Sequence, residues 1–95
     1  MIEIRVGEED FNVAALTSRL EGLGGGAVAS FTGIVRGGDG LFAMRLDHYP
    51  AMTRAQLGMI VDRAMARWPL LGVVVVHRVG ELHPGDRIVF VGTAS

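Results

Sequence analysis

The chain opens with Ile2, Ile4 and Val6 alternating with Glu3 and Arg5, the period-two pattern of a strand covered on one face, and Gly7 closes it. From Asn12, an N-cap residue type, Val13, Leu16, Leu20 and Leu23 recur at three- and four-residue steps until Gly22 and the triple glycine Gly24–Gly26 stop them. That spacing predicts a short amphipathic helix. Residues 27–36 follow with apolar side chains on both faces, which predicts a central strand. Gly37-Gly38-Asp39-Gly40 then leads into residues 41–49, where Met44, Leu46 and His48 alternate with Arg45, Asp47 and Tyr49. The two runs predict an antiparallel hairpin.

Thr53 with Gln56 three residues on is a capping-box signature. Behind it Leu57, Ile60, Val61, Ala64, Met65 and Trp68 form an apolar stripe at helical spacing, ended by Pro69. Residues 72–79 are rich in valine and predict a buried strand. Residues 81–86, with Pro84-Gly85-Asp86, predict a turn before a last strand over 87–92. The order strand, helix, strand, strand, helix, strand, strand predicts one α+β domain over residues 1–95. Both helices are expected on one face of a largely antiparallel sheet, close to a ferredoxin-like arrangement. An apolar strand running straight into Thr93-Ala94-Ser95 leads us to expect a missing carboxyl-terminal segment.

Composition narrows the chemistry. With 49% hydrophobic residues in a 95-residue chain and a mean hydropathy of +0.38, there is material for a core and none of the signature of disorder. Ten acidic residues against nine basic ones leave no field that would gather nucleic acid or an anionic membrane. The absence of Cys excludes disulfides, thiolate metal sites and a cysteine nucleophile. All nine basic residues are Arg, so lysine Schiff-base and general-base chemistry is also excluded from these residues. No stretch approaches the roughly 20 apolar residues of a membrane span, and the amino terminus lacks a basic region followed by an apolar run. A soluble cytoplasmic protein is expected.

His48 and His77 sit among apolar strand residues and read as core or edge histidines, and His83 before Pro84 reads as a turn residue. No pair among them has metal-ligand spacing, and no metal or cofactor is expected. The triple glycine follows a helix instead of opening one, so it reads as a C-terminal cap and not as a phosphate loop. The stripe ending at Trp68 reads as core. Arg36 is different, because it ends a strand otherwise free of charge and precedes a glycine-rich loop. A guanidinium there can fork onto a phosphate or carboxylate, and its plainer reading is a solubilising charge on an edge.

At Ser30-Phe31-Thr32-Gly33-Ile34-Val35-Arg36 the sequence resembles the large, catalytic subunit of molybdopterin synthase. Three later segments agree in order and spacing: Leu46-Asp47-His48-Tyr49-Pro50-Ala51-Met52, Arg67-Trp68-Pro69-Leu70, and His77-Arg78-Val79-Gly80-Glu81-Leu82 followed by Pro84-Gly85-Asp86. The resemblance covers essentially everything from Gly26 onward. It implies an α/β-hammerhead fold, a homodimer, and a heterotetramer with a small ubiquitin-like sulfur-carrier subunit. The implied reaction passes sulfur from the carrier's thiocarboxylate to cyclic pyranopterin monophosphate, forming the molybdopterin dithiolene in molybdenum cofactor biosynthesis.

By the same resemblance Arg36 contacts substrate, Ile34 and Val35 occupy neighbouring pocket positions, and Phe31 lines the pocket. Family chains continue beyond the position of Ser95 with an Ala-His-Arg segment, a long helix and two functional lysines. No catalytic residue is therefore expected within these 95 residues, which are expected to be inactive alone. The alternative from another class is a non-catalytic, ferredoxin-like interaction or ligand-binding module. Nucleic-acid binding on the sheet fails for want of clustered aromatic and basic strand residues.

Overall fold

Val73 to Val76 are all buried, and a strand with both faces covered must sit inside a sheet with something packed on either side. The computed structural model, which describes residues 1–37, 43–46 and 49–95, arranges the chain around that strand. Its elements are β1 (Ile2–Gly7), α1 (Val13–Glu21), β2 (Val28–Ile34), β3 (Met44–Leu46), α2 (Pro50–Arg67), β4 (Gly72–Arg78), β5 (Gly80–Leu82) and β6 (Arg87–Ala94). Four strands form one sheet in the order β1-β4-β6-β2, and β3 pairs with β5 in a separate two-stranded sheet. β4 runs parallel to β1 and antiparallel to β6, and β6 is antiparallel to β2. The sheet is thus largely antiparallel and the class α+β, as the element order predicts.

The helices lie on opposite faces, not on one. Val74 and Val76 pack with Phe11, Leu16, Leu20, Phe90 and Ala94 beneath α1. The alternate residues Val73 and Val75 pack with Val61, Ile4, Leu57 and Met65 beneath α2. Successive strand side chains point to opposite faces, so an unbroken valine run requires cover on both sides. One helix supplies each, which departs from the ferredoxin-like expectation.

α1 starts where Asn12 Oδ1 accepts the Ala15 N–H at 3.0 Å, as the sequence predicts. It ends at Gly22, whose N–H bonds back to the Ser18 carbonyl. A side chain on Gly25 would collide with the Ser95 carbonyl oxygen, because Gly26 and Ala27 both donate to that oxygen at 2.8 and 3.1 Å. The triple glycine therefore follows the helix and also lets the chain lie against the end of β6.

α2 begins a turn earlier than its capping-box signature suggests. Pro50 occupies the first turn, Tyr49 is the N-cap without a side-chain cap bond, and the Thr53 N–H donates to the Tyr49 carbonyl at 2.9 Å. Proline's fixed φ and missing N–H suit the first helical position, which makes a cap at Thr53 unnecessary. Of the predicted stripe only Val61 is buried, while Ile60 and Trp68 are 59% and 53% exposed.

Four further expectations change. β2 is an edge strand, not a central one, and its Phe31 and Ile34 remain 62% and 58% exposed. Among the described residues the predicted hairpin does not form: β2 pairs with β6 and β3 with β5. A glycine run marks where a chain turns without fixing which strand receives it. Glu81 and Leu82, expected in a turn, belong to β5, and the last strand runs on to Ala94.

Candidate functional site

The end of β2 is shaped by a slip in register. Thr32 and Gly33 face Phe90 and Val89 on β6, but the next residue, Ile34, faces Arg87, so Ile88 is left over on the β6 side. Such an irregularity bends the strand and re-aims the side chains beyond it. Phe31 and Ile34, an odd number of residues apart, both end up exposed.

Val35 is fastened immediately after the slip. Its N–H donates to the Asp86 carbonyl at 2.9 Å and its carbonyl accepts from the Gly85 N–H at 2.9 Å, while its side chain is 2% exposed. Val35 therefore offers a site its fixed backbone, not a side-chain contact. On the other side of Arg36, a Cβ placed on Gly37 would lie 3.2 Å from the Pro84 side chain. Arg36 is thus bracketed by two residues that both rest on the His83–Asp86 turn. That turn is closed in its own right, with the Asp86 carboxylate accepting the His83 N–H at 2.8 Å and the Asp86 N–H donating to the His83 carbonyl.

Arg36 itself is exposed. The ion pairs among the described residues engage Arg5, Arg19, Arg78 and Arg87 instead. Its guanidinium stands at the rim of the domain on a rigidly held backbone, the arrangement in which an Arg can clamp a phosphate or carboxylate with little ordering cost. The structure places Ile34 and Arg36 at the end of an edge strand, with Phe31 at the middle of that strand, and turns Val35 inward.

The histidines within the described residues lie in different surroundings. His77 is half-buried on β4, and its Nδ1 is buried without a hydrogen-bond partner among the described residues. The exposed His83 imidazole lies 3.9 Å from Glu81 and 3.8 Å from Asp86. His48 and Asp47 lie outside the described residues, as does most of the glycine-rich loop after Arg36. Between α2 and the sheet a shallow apolar groove runs along Leu57, Ile60, Ala64 and Val91.

What the sequence reading missed is the support beneath Arg36. The residues involved, Gly85 and Asp86, fall inside the segments that carried the resemblance, but they read there only as part of a turn. Their role lies in backbone contacts that periodicity does not report.

The fold is thus an α+β domain whose edge strand ends in an exposed arginine, outside the ion pairs found among the described residues. The comparisons with known proteins are consistent with one family. The model of the family described as "MoaE protein" matches residues 6–95. The molybdopterin synthase catalytic subunit of Escherichia coli strain K12 is 58% identical across 74% of this chain and 49% of its own length. That of Ralstonia nicotianae is 49% identical across 100% of this chain and 57% of its own. Among solved structures, the molybdopterin biosynthesis MoaE protein from Burkholderia ambifaria superposes with a TM-score of 0.88 at 43% identity, covering 100% of this chain and 65% of that one. The chain belongs to the MoaE family, that of molybdopterin synthase catalytic subunits, and spans from about half to two thirds of the length of these relatives.

Proposed function

We propose that this chain is part of a molybdopterin synthase catalytic subunit, a sulfurtransferase that passes sulfur from the thiocarboxylated C-terminus of a small carrier subunit to cyclic pyranopterin monophosphate. The observation that carries the reading is the family match over residues 6–95 together with Arg36 standing exposed and braced at the end of β2. A monophosphate substrate and a carrier tail ending in an acyl group both call for a fixed cationic donor, and charge that develops at the attacked centre needs the same. Arg36 supplies it. Phe31 and Ile34 offer apolar surface beside it, and the Val35 backbone holds the strand end.

The carrier is a second polypeptide, and the working assembly is a homodimer of this subunit with one carrier on each copy, in the cytoplasm. Among the described residues no helix is long and apolar enough to cross a membrane. A solved structure that shares this fold at 24% identity is a complex of subunits 1 and 2 of molybdopterin-converting factor from Helicobacter pylori. The non-catalytic ferredoxin-like alternative draws no support from relatives that carry the catalytic-subunit name.

The 95 residues contain no Lys, so neither of the two pocket lysines that the family resemblance implies is among residues 1–95. A polypeptide of these 95 residues alone is expected to form no measurable dithiolene, because losing one charge-stabilising group typically costs about a hundredfold to a thousandfold. The deciding experiment mixes full-length protein, thiocarboxylated carrier and pyranopterin and follows dithiolene formation. Turnover that requires Arg36 supports the reading, and absence of turnover by the wild-type protein overturns it.

A further inference from the structure

Arg78 is an unusual arginine in this domain. It sits at the end of β4 with its side chain only 13% exposed, and it gives most of its donors to backbone. Nε and Nη2 donate to the Glu8 carbonyl at 3.2 and 3.0 Å, and Nη1 donates to the Arg87 carbonyl at 3.0 Å. Asp10 balances the charge loosely, with an oxygen 3.8 Å from Nη1.

The carbonyl it holds is that of the β6 residue facing Ile34 across the register slip. The neighbouring residue, Asp86, accepts the Val35 N–H. A line of short contacts therefore runs from the Arg78 guanidinium through Arg87, Asp86 and Val35 to Arg36. Strand ends ordinarily fray, and an irregular ladder is the weakest place in a sheet. Here a planar fork ties that place to the connection between β1 and α1. Such a fork reaches two separate acceptors at once, which an ammonium on a flexible stem does not reproduce.

We propose that Arg78 is a positioning residue for Arg36: it clamps the slipped end of β6 to the β1–α1 connection, and so fixes the strand end from which Arg36 meets the anionic substrate. The proposal rests on the sulfur-transfer reading above. Small displacements of a substrate-contacting group cost on the order of a hundredfold in rate, which makes a clamp at the end of β4, two strands from β2 in the sheet, matter to turnover.

The test is a double-mutant cycle in the full-length protein, with dithiolene formation as the readout and the urea midpoint confirming the folded state. Arg78→Lys is expected to lower kcat/KM by about ten- to a hundredfold in the wild-type background, and by less than about twofold once Arg36→Ala is present. Amide exchange at Val35 and Gly85 is expected to quicken in the Lys variant while that at Val74 and Phe90 stays slow.

Equal losses in both backgrounds, or unchanged exchange at Val35 and Gly85, would show that Arg78 acts on something other than Arg36. Wild-type turnover by Arg78→Lys beside an impaired Arg36→Ala overturns this proposal alone, whereas wild-type turnover by Arg36→Ala overturns the functional reading with it. If Arg78→Lys does not fold, Arg78→Gln takes its place under the same criteria. If neither folds, Arg78 holds the domain together and does not serve to aim Arg36, and the proposal fails.

Discussion

Arg36 carries a guanidinium that the described ion pairs leave open to solvent, so replacing it should remove function and spare the fold. Arg36→Ala is expected to cost one charge-assisted contact, about 1.5 to 3 kcal/mol, which corresponds to roughly a tenfold to hundredfold fall in kcat/KM. Arg36→Lys is expected to recover only part of it, because the bidentate fork is lost; steady-state dithiolene formation at matched folded concentration measures both. Glu3 shows the opposite case, a charge that serves stability. Its carboxyl is held below the usual carboxylate range, first by the hydrogen bond from Arg19, which outweighs the opposing effect of burial, and then by the charges of Arg19 and Arg5, with Arg19 Nη2 2.7 Å away. Since the folded state binds the proton more weakly than the unfolded chain, this contribution is complete above the ordinary glutamate value of about 4.3 and is lost as the pH falls through the lower folded value. Glu3→Gln is therefore expected to melt below the wild type at pH 7, by a small margin because the pair is exposed, and together with it in strongly acid solution. Thermal melts at the two pH values check the sign.

At the scale of elements, the handover from β4 to β5 depends on one backbone conformation. Gly80 adopts φ +88, and a Cβ there would lie 2.6 Å from the Glu8 carboxylate, so Gly80→Ala meets both left-handed strain and a clash. The backbone strain alone costs about 1 to 2 kcal/mol, and a urea midpoint shifted down accordingly, with an unchanged m-value, is the expected result. The strands and helices themselves were largely legible in the sequence. Asn12 marked the start of α1, Pro69 the end of α2, and the valine run the innermost strand. Their partners were not legible, because period-two and period-3.6 patterns say which faces are covered and not by what. The apolar side chains of β2 read as a central strand for that reason, yet they coat an exposed edge. The same limit applies to the site: Arg36 stood out as a lone charge at a strand end, while the turn and the arginine that brace it act through carbonyls.

Across the whole molecule, large apolar side chains stand exposed on β1, β2, α2 and β6. Phe31, Ile34, Val91, Ile60, Met59 and Trp68 are all exposed, more apolar side chain than a small monomer usually leaves to water. A homodimer is the expected state in solution, and light scattering that returns a monomer mass across micromolar concentrations would contradict it. The pairing of β1 with β4 has a different consequence, one of timing. Ile2 lies opposite Val73, with Gly7 opposite Arg78, so among the described residues β1 pairs with a strand that is made about 65 residues after it. Until β4 is synthesised, Ile2, Ile4 and Val6 have no ladder to join, and closing so long an intervening segment costs entropy before any contact repays it. The domain is built to fold late and as a unit, by long-range pairing of the kind that places folding in milliseconds to seconds instead of microseconds. During synthesis, a nascent chain cut short before the valine run holds an unpaired apolar strand, the form in which this protein is most exposed to aggregation and to the chaperones that prevent it.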